Sequence, residues 1–267
     1  EHSNNALDVA NVDDVLFGIK ERPLVYYENG GGAIETDYKV LLNERNNKVL
    51  YMGKIYSPIH NQDIIEAVGM REELKLVNVR NYYGKRFEFT YTIPHTKFQL
   101  GPEETMFSLN IVNSYDGTSS LHVIGGLYVL ICSNGAQIGR MTYQFKRKHT
   151  VAIGRNEIAG FVQDSLEYLH TRTDNVSQKQ WSDDKSLVKD KFNALAKVFP
   201  ERKDQQLHPS VMSLNAEYMK MERKYTYLKE FALFMAATNM TTRPEQYGLC
   251  PSYTKALDNI IGNVFFN

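Results

Sequence analysis

Residues 106–135 read MFSLNIVNSYDGTSSLHVIGGLYVLICSNG, and the punctuation of this stretch decides the fold. Asn113-Ser114-Tyr115-Asp116-Gly117-Thr118 is a tight turn with Asp116-Gly117 at its tip, chemistry that joins two antiparallel strands. Met106 to Val112 before it and Ser119 to Ile131 after it are β-rich runs. The second run ends in Ile131-Cys132-Ser133-Asn134-Gly135, whose Asn-Gly pair is again a hairpin signal. Ala136 to Arg147 then supplies a third strand. Three adjacent antiparallel strands are expected, with Lys146 to His149 at the far end of the third.

Working outward, the same grammar repeats upstream. Asp37 to Asn43 and Lys48 to Ile55 flank Glu44-Arg45-Asn46-Asn47 as a hairpin, and Leu76 to Tyr82 and Phe87 to Ile93 flank Tyr83-Gly84-Lys85-Arg86 as another. Pro23 to Tyr27 reads as a strand before Gly30-Gly31-Gly32, a flexible turn without the Lys-Ser/Thr of a phosphate loop. Asn61 to Gly69 reads as a short helix, with Ile64, Ile65 and Val68 on one face and Gly69 as its stop.

Past residue 155 the period becomes helical. Ile158, Val162, Ser165 and Leu169 form one stripe and Val188, Phe192, Leu195 and Phe199 another, with Asp183 or Asp184 as N-cap of the second. Leu214, Tyr218, Met221, Tyr225, Leu228, Ala232 and Met235 recur at alternating spacings of four and three, an a/d heptad pattern. That helix either packs within the chain or joins subunits of a homo-oligomer through residues 214–235. The class is therefore α+β: an antiparallel β-sheet with hairpins and one short helix in residues 1–155, then long helices in 156–267 that pack on the sheet, either as a second part or within one continuous domain.

The bulk numbers are those of an ordinary folded protein. The 267 residues carry 31 Lys+Arg against 31 Asp+Glu, so the net charge is zero and any anion site must be local. The longest apolar stretch, Leu121 to Cys132, contains His122 and is too short to cross a bilayer, so no membrane association is expected. Glu1 to Asp8 has neither a basic n-region nor an apolar h-region, so no signal peptide is expected. Cys132 and Cys250 are the only cysteines, which implies no disulfide framework and points to a reducing cytoplasm.

Charge is unevenly placed along the strands. From Gly117 to Asn156 there is no acidic residue, while Arg140, Lys146, Arg147, Lys148 and Arg155 are basic. From Arg71 to Lys97, six basic residues meet three acidic ones and are interleaved with Tyr82, Tyr83, Phe87, Phe89 and Tyr91. Cations hold phosphates and rings stack on bases, so these are the components of a single-strand binding surface. Alternation puts Phe87, Phe89 and Tyr91 on one face, where they read as core, and leaves Tyr82 and Tyr83 near the hairpin tip as stacking candidates. Arg147 and His149 continue the face of Tyr143 and Phe145, while Lys146 and Lys148 point the other way.

The turn Asn113 to Thr118, the strand end Cys132-Ser133-Asn134-Gly135 and the basic end Lys148-His149-Thr150 also occur together in a known family. With the upstream segment Tyr56-Ser57-Pro58-Ile59-His60-Asn61, they resemble the phage/plasmid-like DUF932 family, a domain of unknown function. The family's C-terminal Trp-containing segment is replaced here by Phe231 to Ala237, without the Trp or the Asn. The resemblance implies a phage, prophage or plasmid context and a DNA-related role.

Three functional readings follow. In the first, a phage or plasmid protein binds or anneals single-stranded DNA in recombination or replication. Arg80, Lys85, Arg86, Arg140, Lys146, Arg147 and Lys148 neutralise phosphates, and Tyr83 or Tyr143 stacks a base. The order of elements is loosely similar to that of ring-forming annealing proteins, an analogy at fold level only. In the second, a phage structural or interaction protein binds no DNA. In the third, an enzyme uses Asp116, His149 or Cys132, with His122 nearby in the sheet. No Walker A loop, Gly-x-Gly-x-x-Gly, His-Glu-x-x-His or Cys-x-x-Cys occurs, and no cofactor or metal is expected.

Overall fold

A computed structural model of the chain describes residues 12–27, 31–129, 137–138, 144–200 and 206–266. In chain order the elements are α1 (Val12–Val15), β1 (Ile19–Tyr27), β2 (Ala33–Asn43), β3 (Val49–Gly53), α2 (Asn61–Gly69), β4 (Lys75–Tyr82), β5 (Arg86–Thr92), a 3-10 turn (Pro94–Thr96), β6 (Phe98–Leu100), β7 (Glu103–Ser114), β8 (Leu121–Val129), β9 (Gln137–Ile138) and β10 (Gln144–Arg147). The helices α3 (Arg155–Ser177), α4 (Lys185–Ala196), α5 (Pro209–Lys224) and α6 (Lys229–Thr242) follow. A second 3-10 turn (Pro244–Tyr247) and α7 (Pro251–Phe266) complete the chain. Strands early and helices late make the class α+β, as the sequence pattern implies.

The chain divides into two compact units. The first comprises residues Glu1–Ile93, Leu109–Ile124 and Gln144–Glu167, and the second the remainder. β1, β2 and β3, all in the first unit, form one antiparallel sheet, and a second, seven-stranded sheet has the order β10-β8-β7-β5-β4, with β6 paired to β7 and β9 to β8. β1 begins at Ile19, four residues before the apolar run that signals it, because Ile19 to Pro23 pair with Asn43 to Lys39. The expected hairpin β4–β5 is present, but its tip is one residue shorter than the sequence suggests: Arg86 joins β5 opposite Tyr82, and Val79 lies opposite Phe89. Its alternation buries Phe87, Phe89 and Tyr91, as expected of a core face. α2 packs Ile64, Ala67 and Val68 inward, and the first half of α3 packs Ile158 and Val162. Phe145 of β10 stacks on Phe161 of α3.

The second unit buries an aromatic cluster in which Trp181 meets Phe231, Phe234 and Phe265. Asp184 caps α4 as foreseen, its side chain accepting from Ser186 N. Glu230 is fully buried and accepts hydrogen bonds from Lys179 Nζ and Ser182 N, with Lys191 Nζ also 2.9 Å away. Burial pushes its carboxyl up, but these donors outweigh it and hold the group below the usual carboxylate range.

One expectation fails in this unit. The stripe from Leu214 to Met235 is two helices, because the chain breaks between Lys224 and Lys229. Tyr225 and Leu228 leave the helical region, at φ −119°, ψ 60° and φ −138°, ψ 62°. The run Tyr225-Thr226-Tyr227 is a poor helix former, and the Tyr225 hydroxyl donates to the buried carboxylate of Glu103. Leu214, Met221, Tyr225, Ala232 and Met235 are all buried in this unit. The stripe is the inner face of a helical hairpin, so the single helix expected to join subunits through 214–235 does not exist.

Candidate nucleic-acid interface

The motif segments at residues 56–61, 113–118 and 148–149 come together at one end of the main sheet, in the first unit. Asn113 is fully buried, and its Nδ2 donates to Ile59 O and Asn61 Oδ1, both at 2.8 Å. Tyr56 Oη donates to Ser114 O at 2.5 Å, and Asn61 N donates to Tyr115 Oη at 2.7 Å. Ser57 N donates to His149 O at 2.7 Å. Ser114 Oγ donates to Ser119 O across the turn, while Asp116 Oδ1 accepts from both Thr118 N and Thr118 Oγ1. Gly117 sits at φ 75°, where a Cβ would also lie 3.2 Å from Tyr51. Asp116 is thus a turn-forming residue and Gly117 a conformational requirement.

Beside this turn three rings stack. Tyr51 and Tyr56 lie 4.4 Å apart, and Tyr56 and His149 lie 5.0 Å apart, at shallow angles. Burial pushes the Tyr56 phenol up to about 12 and the His149 imidazole down from its ordinary value. Neither ring nitrogen of His149 has a hydrogen-bond partner, and the residue is 4% exposed. The imidazole packs face to face on Tyr56, and its backbone carbonyl ties the segment to Ser57. Cys132, Ser133, Asn134 and Gly135 lie outside the described residues, and Thr150 is exposed at the surface.

The tip of the β4–β5 hairpin belongs to the same sheet end. Tyr115 N donates to Lys85 O at 2.6 Å, which ties the tip to the residue following β7. The next turn leads into β8 at Leu121, whose antiparallel partner in β10 is Arg147. Lys85 and Lys148 therefore share one end of the sheet, separated by the three strand spacings from β5 to β10. At about 4.8 Å each, that is roughly 14 Å along the sheet edge.

The basic candidates differ in how free they are. Arg147 faces Glu157 at 3.7 Å and Arg80 faces Glu88 at 3.8 Å, both partly solvated pairs that tether the side chains without much energy. Arg86 lies over the Tyr82 ring at 5.5 Å. Among the described residues no ion pair engages Lys85, Lys146 or Lys148, and all three are exposed. Arg140 and Tyr143, expected to contribute a cation and a stacking ring, lie outside the described residues. Tyr82 is half-buried, with its hydroxyl donated to Glu88, whereas Tyr83 is 77% exposed.

The tertiary structure adds residues that the linear pattern does not reveal. The β2–β3 turn meets the β4–β5 tip around a groove of about 420 Å³. Arg45 and Lys48 line it from one turn, Tyr83 and Lys85 from the other. Phe17 and Asp14 come from the N-terminal segment, and Phe17 packs on Phe87 and Tyr115. The Asx pattern of the two turns hints at the groove's walls, but their meeting is a tertiary fact.

The chain is thus an α+β protein whose motif residues lock one sheet end, with exposed lysines and the exposed Tyr83 ring at that same end. Over residues 50–259 it matches the family described as Domain of unknown function (DUF932), and it belongs to that family. No curated protein and no solved structure matched it. Among the described residues no helix is long and apolar enough to cross a membrane.

Proposed function

We propose that the chain binds single-stranded nucleic acid at this sheet end, in a phage or plasmid setting, with single-stranded DNA in recombination or replication as its natural partner. The observation that carries the reading is the pairing of exposed Tyr83 with Lys48 and Lys85 around one groove, with Lys146 and Lys148 along the same edge. Point cations hold a phosphate chain without reading its sequence, and an exposed ring accepts any base face. A neutral chain with a confined basic edge binds weakly and in a salt-sensitive way, not indiscriminately. The test is fluorescence anisotropy of a labelled oligonucleotide at low salt. Saturable binding supports the reading, and no binding overturns it.

A second reading, a protein-interaction module, has one specific observation in its favour. On the β1–β2–β3 sheet, Tyr26 pairs across strands with Ile34, and both are exposed together with Tyr38 and Met52. Exposed aromatics gathered on one sheet suit protein contact.

A further inference from the structure

We infer that the groove between the two turns seats one unpaired nucleotide, its base stacked on Tyr83 and its flanking phosphates held by Lys48 and Lys85, so that the protein selects single strands over duplex. This rests on the nucleic-acid reading above and specifies its substrate.

A volume of about 420 Å³ is within the range of small-ligand sites and too small for a duplex. Its walls are rich in donors. Asn43 Oδ1 accepts from Arg45 N, Asn46 Oδ1 from Lys48 N, and Asn81 Oδ1 from Gly84 N, and all three asparagines line the groove. Each amide oxygen is thereby committed to its own turn, which leaves each Nδ2 as the group that can face a ligand. Three amide donors and three cations stand against the single carboxylate of Asp14 in that lining. Such a wall matches phosphate oxygens and base carbonyls, and it disfavours donor-rich ligands. Arg45 is the fixed member, with Nη2 donating to Asp13 O and Leu16 O. Lys48 and Lys85 are the adaptable ones.

Tyr83 completes the site. It has φ 58°, a left-handed conformation that bulky residues seldom adopt. Its ring is nevertheless held out in solvent instead of being folded onto the sheet. A neighbouring Asn81–Gly84 hydrogen bond of 2.7 Å holds that turn. Tyr83 and Gly84, both at positive φ, are the central residues of the hairpin turn that Lys85 N closes onto Tyr82 O at 3.1 Å, so the turn itself fixes where the ring stands. A base within a duplex has no free face for the ring, whereas an unpaired base has one.

The experiment is anisotropy of labelled oligothymidylate of about 20 nucleotides, longer than the usual single-module site, against a duplex of equal length. Wild type, Tyr83→Ala, Tyr83→Phe and Lys85→Ala are compared, with circular dichroism confirming that each folds. Wild type is expected to prefer the single strand. Tyr83→Ala should lose on the order of tenfold or more in single-strand affinity, with Tyr83→Phe close to wild type and the salt slope unchanged. Lys85→Ala should instead lower the salt slope by about 0.7. Salt-dependent binding with equal affinity for wild type and Tyr83→Ala would overturn the stacking site and leave the broader reading standing. Absence of binding by wild type would overturn both.

Discussion

Replacing Asn113 by Asp keeps the size and shape of a fully buried side chain and changes only its hydrogen-bonding sense. In the native sheet end both Nδ2 hydrogens are used, on Ile59 O and Asn61 Oδ1, each at 2.8 Å. A carboxylate has no hydrogens to donate, so both bonds are lost at about 1 kcal/mol each. It also faces two buried acceptors and has left water, which raises the total cost to roughly 3–5 kcal/mol. The new carboxyl would have its folded pKa above its unfolded value, since only the protonated form can donate. Its penalty is therefore smallest below the unfolded value and grows as pH rises through the folded one. Urea unfolding followed by circular dichroism, at about pH 4 and about pH 7, measures this directly. Asn113→Asp should be severely destabilised at neutral pH and less so, relative to wild type, in acid. A variant within about 1 kcal/mol of wild type at both pH values would refute the bonding scheme that ties the motifs together.

Other consequences are tested in the same way. Gly84 and Gly117 are both left-handed, at φ 71° and 75°, but only Gly117 has a ring within 4 Å of a Cβ. Gly84→Ala should cost about 1 kcal/mol in urea unfolding and Gly117→Ala clearly more; equal costs would deny the Tyr51 contact. His149 has a folded pKa below its unfolded value, so its stabilising contribution is present above the unfolded value near 6.5 and is lost as pH falls. His149→Phe, which can retain a ring against Tyr56, should flatten the loss of stability between about pH 7 and pH 5, and an unchanged pH profile would count against a buried neutral imidazole. Glu230→Gln leaves Lys179 and Lys191 without their buried carboxylate and should cost about 3–5 kcal/mol, read by Trp181 fluorescence on unfolding; a loss below about 1 kcal/mol would contradict the buried pairing.

The strand half of the fold was legible because its signals are local. Asp116-Gly117 and the Tyr83 to Arg86 tip are turn chemistry, and the alternation of Phe87, Phe89 and Tyr91 states which face is buried. The break between α5 and α6 was not legible, since two antiparallel helices can each bury one side while the heptad count runs on through the loop. What interrupts it involves a contact across 122 residues, from Tyr225 to Glu103. The site was legible in part for the same reason. Tyr83, Lys85 and Lys148 stand out as cations and a ring near strand ends, but Arg45 and Lys48 join them only when two hairpins meet. That Arg147 and Arg80 are tethered by Glu157 and Glu88 likewise depends on tertiary neighbours or strand pairing.

The central claim is that free lysines at one sheet end hold a phosphate chain. The most direct measurement is the dependence of single-strand affinity on salt, for wild type and for the Lys85→Ala/Lys148→Ala double variant. If Lys48, Lys85, Lys146 and Lys148 each meet a phosphate, the logarithmic slope for wild type is about −3, and the double variant reduces its magnitude by about 1.4. A slope near zero, or one that the double variant leaves unchanged, would contradict the account.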